Sequence, residues 1–201
     1  MEGFFKEDLL ERLARLDEDA DLLFDDDRRF KLVIVGGSAL ILLETITRAT
    51  HDIDALDVSP EIVDLLEKYD INTRVGTFIN NFPYNYDERL VPVRLDGRRI
   101  DFYTASLEDI VIAKLYSGRA TDIQDIIDPR VLKEIDWDRL EHLAMDEDEA
   151  KASALNEYRY AEFLDSYQTY VGMLGGGENA RTHFQRVSHS VCKTAGCRGN
   201  E

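Results

Sequence analysis

The sequence predicts an α/β (α+β) protein: a mixed sheet flanked by helices, followed by a C-terminal helical extension. Three observations predict it. Leu32 to Val35 is a short apolar run that turns at Gly36-Gly37-Ser38 into a helical stretch, Ala39 to Ile46. A second extended run spans Asp52 to Val58. Leu90 to Leu95 and Arg99 to Tyr103 flank an Asp96-Gly97 turn, the pattern of a β-hairpin.

The elements follow in order. Leu9, Leu10, Leu13 and Leu16 share one helix face in the run Lys6 to Leu16, and Asp25-Asp26-Asp27-Arg28-Arg29 separates that helix from the first strand. Residues 1–29 therefore read as a packing helix and linker, and 30–128 as the core. Pro60 to Asp70 is a second helix, with Pro60 in its first turn and Ile62, Leu65 and Leu66 inward. Thr73 to Val75 reads as a short strand. Thr77 to Asp87 reads as a loop or irregular edge, whose aromatic residues either cover the sheet edge or stack on a base.

Ser106-Leu107-Glu108-Asp109 is a capping-box pattern that starts a helix and sets Lys114 on its third turn. Thr121-Asp122-Ile123-Gln124 is a second such pattern, with Asp122 and Asp125 one turn apart. Residues 129–174 form the helical extension, in which Glu147 to Leu174 reads as one long helix with an apolar stripe through Leu155, Tyr158, Phe163 and Tyr167. That helix either packs across the core or makes a homodimer contact. Gly175-Gly176-Gly177 ends it, and 175–201 reads as a disordered tail. His183, His189, Cys192 and Cys197 in that tail do not have the spacing of a zinc finger.

The chemistry is concentrated in two short stretches. A Gly36-Gly37-Ser38 turn leaving a strand and opening a helix gathers unpaired backbone N–H groups, a helix N-terminus and a hydroxyl, which suits a nucleotide phosphate. The two-residue period of an extended chain sends Asp52 and Asp54 to the same face, where like charges are costly unless a cation joins them. Asp101, set between Ile100 and Phe102, is a third acid, and its strand is expected beside that of Asp52, completing a metal-binding triad. Lys114, in the apolar run Ile110 to Leu115, is either snorkelling to solvent or facing a charge, as in a salt bridge to a nearby acid.

These stretches resemble the polymerase-beta-like nucleotidyltransferase superfamily: Gly-Gly-Ser, a helix, Arg48-x-Thr50-x-Asp52-Ile53-Asp54, then a later strand with Asp101. Leu107 to Leu115 with Lys114, and Arg119-Ala120-Thr121-Asp122-Ile123-Gln124-Asp125, resemble the remaining motifs of its AbiEii-like branch, the type IV toxin–antitoxin nucleotidyltransferases. The chain departs from that branch at Thr121, where a Lys usually precedes the Asp. The resemblance implies two Mg2+ ions, or Mn2+, on Asp52, Asp54 and Asp101. It places Gly36, Gly37, Ser38, Arg48, Lys114 and Asp122 around a nucleoside triphosphate. It also implies transfer to an acceptor hydroxyl, on tRNA or another cellular target, by a toxin partnered by a DNA-binding antitoxin. A small-molecule nucleotidyltransferase of the antibiotic-modifying kind and a non-catalytic binding module share the same residues and remain open.

Composition bounds these readings. With 201 residues, 44% of them hydrophobic, the chain can bury one substantial core. No run is apolar and long enough to span a membrane, Phe4-Phe5 is followed at once by charge, and both cysteines lie in the tail, so a cytoplasmic location is expected. A net charge of −17 disfavours a basic nucleic-acid-gripping surface and suits solubility or a basic partner protein. Arg48, Arg94, Arg98, Arg99 and Arg119 would have to supply a local positive rim if the acceptor is RNA.

Overall fold

A computed structural model describes residues 3–174. Helix α1 (Lys6–Leu23) begins where Asp8 accepts the Phe5 backbone N–H (2.9 Å) and buries Leu9, Leu13, Leu16 and Ala20 along one face. Asp17 lies on the same buried face. Its carboxylate accepts the backbone N–H groups of Arg98 (2.6 Å), Arg99 (2.9 Å) and Ile100 (2.7 Å), which fastens the helix to the start of the last strand.

Five strands, β1 (Phe30–Val35), β2 (Ile53–Leu56), β3 (Ile71–Asn72), β4 (Val91–Pro92) and β5 (Ile100–Thr104), form one mixed sheet in the order β3-β2-β1-β5-β4. Central β1 runs antiparallel to β2 and parallel to β5. Strands β2 and β3 are parallel, and β4 with β5 makes the expected antiparallel hairpin. The expected neighbour of β5 is corrected: β5 lies beside β1, not beside the strand of Asp54. Alternation puts Leu32, Ile34, Ile53, Ala55, Ile100 and Phe102 on one wholly buried face.

Several boundaries differ from the sequence reading, each for a local reason. Helix α2 (Gly36–Leu42) starts at the first glycine and closes early because Thr45 turns back, its backbone N–H and hydroxyl both donating to the Leu40 carbonyl (3.0 Å each). Strand β2 stops where Asp57 takes a left-handed φ of 53°. The strand expected at Thr73–Val75 is instead β3, two residues earlier. The Asn72 side chain accepts the Arg74 N–H (3.1 Å) and bends the chain into a 3₁₀ segment, Arg74–Asn81. The second helix is a 3₁₀ turn, Pro60–Ile62, leading into α3 (Val63–Lys68).

Helix α4 (Leu107–Ser117) is capped as its sequence indicates: Ser106 Oγ accepts the Asp109 N–H (3.2 Å) and donates to its carboxylate (2.6 Å). Gly118, at φ 64°, ends it. Helix α5 (Ala120–Ile126) starts one residue before the expected Thr121 cap, with Arg119 in the capping position and no side-chain cap. The helical extension comprises α6 (Pro129–Glu134), α7 (Trp137–Met145), α8 (Ala150–Ser153) and α9 (Glu157–Leu174). The long helix expected from Glu147 is thus two. Ala154 is extended, and Asn156 restarts the chain by accepting the Arg159 N–H (2.9 Å). Helix α9 packs across the core, stacking Phe163 on Tyr116 of α4 with ring centres 4.3 Å apart. Among the described residues no helix is long and apolar enough to cross a membrane. The tail from 175, with His183, His189, Cys192 and Cys197, lies outside the described residues.

Candidate active site

A cavity of about 540 Å³ opens where the ends of β1 and β2 meet α4, α5 and the 3₁₀ segment. Its polar lining includes Asp52, Asp54, Asn72, Lys114, Ser117, Arg119, Asp122 and Arg159, and its apolar lining Val75, Phe78, Phe82 and Leu155. Asp54 stands level with Val35, the last residue of β1, so the β1–α2 turn adjoins it. Gly36 has a φ of 68°, and a Cβ there would stand 3.0 Å from Asp54 Oδ2. Asn72 Nδ2 donates to Asp54 Oδ1 (2.8 Å). Burial pushes the Asp54 carboxyl above the usual range, opposed by the Asn72 hydrogen bond and reinforced by the charge of Asp52. Asp52 precedes β2 and is exposed.

Beside this pair lies a buried ionic network. Lys114 Nζ donates to Asp122 Oδ1 (2.7 Å) and Asp125 Oδ2 (2.8 Å). Ser117 Oγ (2.6 Å) and Arg119 Nε (2.7 Å) donate to Asp122 Oδ2, and Arg48 forks onto both oxygens of Asp125 at 2.7 Å each. Burial alone would raise both carboxyls. For Asp122 the charge of Lys114 and the hydrogen bonds of Lys114, Ser117 and Arg119 outweigh it, and for Asp125 the hydrogen bond of Arg48 and the charge of Lys114 do, so both are held below the usual range. Three cations against two carboxylates leave the network an excess positive charge, carried into the cavity by Lys114 and Arg119.

The sequence-predicted residues therefore fall into groups. Asp52, Asp54, Gly36, Lys114 and Asp122 line one cavity. Gly37 lies under the Arg48 guanidinium, which a Cβ there would approach to 3.1 Å, and Arg48 itself points to Asp125. Ser38 is buried and its hydroxyl donates to the Val35 carbonyl (3.0 Å), holding the strand–helix turn rather than lining the cavity. Asp101 is not brought to the pair. It stands level with Lys31, four residues along β1 from the level of Asp54, about 13 Å at ~3.3 Å per residue. Arg29 pairs with it there and holds its carboxyl below the usual range. Among the described residues no group of three or more acids, histidines or cysteines is placed to hold a metal.

The expected arginine rim is also corrected. Arg98 and Arg99 are tied to Asp21 of α1 (3.4 and 2.6 Å), and Arg94 acts on Glu44, so of the five only Arg119 lines the cavity. Arg159 joins it from α9, from the segment read as a continuous helix. Asn72 and Ser117 carry no motif that singles them out, Phe78 belongs to the aromatic stretch 77–87, and Leu155 belongs to the apolar stripe of the extension.

Residues 11–174 match the family described as a nucleotidyltransferase of unknown function (DUF6036). The chain belongs to this nucleotidyltransferase family. No curated protein and no solved structure matches it significantly. The family supports the superfamily resemblance of the motifs, and the five-stranded mixed sheet with flanking helices is consistent with a nucleotidyltransferase-like fold.

The carboxylates of this family member could meet a divalent cation in one specific way. Mg2+ is commonly held by one or two protein carboxylates together with substrate phosphates. Asp52 and Asp54 face one cavity, and Asp54 is already raised by burial and by its neighbour's charge. A cation with a bound polyphosphate would relieve that repulsion.

Proposed function

We propose that the protein transfers a nucleoside monophosphate from a nucleoside triphosphate to an acceptor hydroxyl. The observation that carries this reading is the two-part lining of one cavity. Asp52, Asp54, Lys114 and Arg119 line it together with Phe78, Val75 and Leu155. A nucleoside triphosphate calls for both kinds of lining, being a polyanionic chain joined to a base with flat apolar faces.

In the proposed reaction the acceptor hydroxyl releases its proton to solvent as its oxygen bonds to the α-phosphorus, the bond from that phosphorus to the β-phosphate bridging oxygen breaks, and pyrophosphate leaves. Asp52 and Asp54 would hold Mg2+, which when bound supplies positive charge to the phosphate oxygens. Lys114 and Arg119 add fixed positive charge for the leaving pyrophosphate. Phe78, 56% exposed at the cavity, offers a face on which the base stacks. Asp101 has no place in this arrangement.

The order of the four motifs, with its AbiEii-like character, supports a finer reading: a toxin that modifies tRNA or another cellular target. The acidic surface suits a basic antitoxin partner. Calorimetric titration with each of the common triphosphates, with and without Mg2+, followed by assay of pyrophosphate release, tests the reaction class. Metal-dependent binding and release are expected. Equal binding of triphosphate and nucleoside would overturn the phosphate assignments.

A further inference from the structure

We infer that Arg48 is a positioning residue: through its fork onto Asp125 it sets the place of Asp52, and it does not touch the nucleotide. The inference rests on the reading of Asp52 and Asp54 as the metal-holding pair. Asp52 immediately precedes β2 and is exposed. Its position depends on the segment that delivers it, residues 48–52.

That segment is pinned at three points. Arg48 donates to both oxygens of Asp125 (2.7 Å each), a carboxylate almost wholly buried on α5. The Thr50 backbone exchanges hydrogen bonds with Phe4, which precedes α1, N–H to carbonyl in both directions (2.6 and 3.1 Å). The Thr50 hydroxyl donates to the Asp52 carbonyl (3.2 Å). The Arg48 guanidinium also lies over Gly37, the one residue type that leaves room for it in the β1–α2 turn.

Arg48 and Asp125 are absent from the cavity lining, whereas Asp52 and Lys114 are in it. Asp125 accepts from both Arg48 and Lys114. The same carboxylate therefore links Arg48, at the head of the segment that delivers Asp52, to Lys114 in the cavity wall. Arg48 supplies the planar two-donor fork that this bridge uses, which a lysine cannot reproduce.

The test compares wild type, Arg48→Lys and Asp125→Asn by hydrogen exchange without ligand and by calorimetry with ATP at increasing Mg2+. In both variants backbone exchange over residues 48–53 should rise several-fold while that of β1 and β5 is unchanged. Apparent Mg2+ affinity in the presence of ATP should fall by about 10–100-fold in both, the usual effect of losing a supporting contact behind a ligand, with metal-free ATP binding unaltered in Arg48→Lys. A loss of metal-free ATP binding in Arg48→Lys would instead make Arg48 a nucleotide contact and overturn the inference. Unchanged exchange and unchanged Mg2+ dependence would overturn it as well. Failure of the wild type itself to bind ATP in a Mg2+-dependent way would remove the underlying site reading, an outcome distinct from both.

Discussion

Gly36 and Asp54 are in contact range across the β1–β2 junction: a Cβ on Gly36 would stand 3.0 Å from Asp54 Oδ2, and the Gly36 backbone has a φ of 68°. Gly36→Ala is expected to cost about 1–2 kcal/mol for the left-handed backbone and to displace the Asp54 carboxylate. Gly118 has nearly the same φ, 64°, with nothing within 4 Å of its Cβ position, so Gly118→Ala should lose comparable stability and keep its activity. Chemical denaturation and pyrophosphate release on the two variants separate backbone strain from damage to the site. Equal activity loss in both would sink the claimed contact.

Asp52→Asn and Asp54→Asn should each abolish turnover without destabilising the fold. Burial raises the folded pKa of Asp54, so the protonated form is favoured by folding. Its stabilising contribution is complete below the ordinary carboxylate pKa, about 3.9, and is lost as pH rises through the raised folded value. At neutral pH the wild type therefore carries the cost of an ionised, partly buried carboxylate that Asp54→Asn removes. Thermal melting against pH should show the variant equal to or above wild type at neutrality, with the difference vanishing in acid.

The ionic network makes the opposite prediction. Asp122 and Asp125 have depressed pKa values, so their contribution is present above the ordinary carboxylate value and is lost as pH falls through the folded one. Lys114→Met leaves both carboxylates without their shared cation and should cost up to about 3–5 kcal/mol, the range for breaking a buried pair, lessened by Arg48 and Arg119. Urea unfolding at neutral pH measures it. A loss below about 1 kcal/mol would show that the network is not held together by Lys114.

Ser38 should serve the fold and Phe78 the nucleotide. Ser38→Ala is expected to lose about 0.5–1.5 kcal/mol of stability, one buried hydrogen bond, with triphosphate affinity unchanged. Phe78→Ala should leave stability nearly intact and weaken nucleotide binding by about 1–3 kcal/mol, the effect of losing a stacking partner. Inorganic tripolyphosphate, which has no base, should bind Phe78→Ala as it binds wild type.

What could be read from the sequence was local. Asp52 and Asp54 share a cavity because the two-residue period of an extended chain is fixed before any strand pairs. The β1–α2 turn and the Ser106 cap are likewise decided by neighbours in the chain. Asp101 needed the strand order, and β5 chose β1 as its partner, four residues out of level with Asp54. The one-turn spacing of Asp122 and Asp125 does not distinguish a solvent face from a site; both are buried because Lys114 of the preceding helix and Arg48, distant in sequence, neutralise them. Arg98 and Arg99 were drawn away by Asp21 of α1, a contact that no spacing rule foretells.

The central claim is that this chain moves the α-phosphoryl portion of a triphosphate. The most direct measurement incubates wild type, Asp52→Asn and Asp54→Asn with Mg2+, total cellular RNA and protein, and triphosphates radiolabelled at either the α- or the γ-phosphate. α-Label is expected to become attached to an acceptor with wild type only, while γ-label appears solely in released pyrophosphate. Attachment of γ-label to an acceptor, or α-label transfer undiminished in either variant, would contradict it.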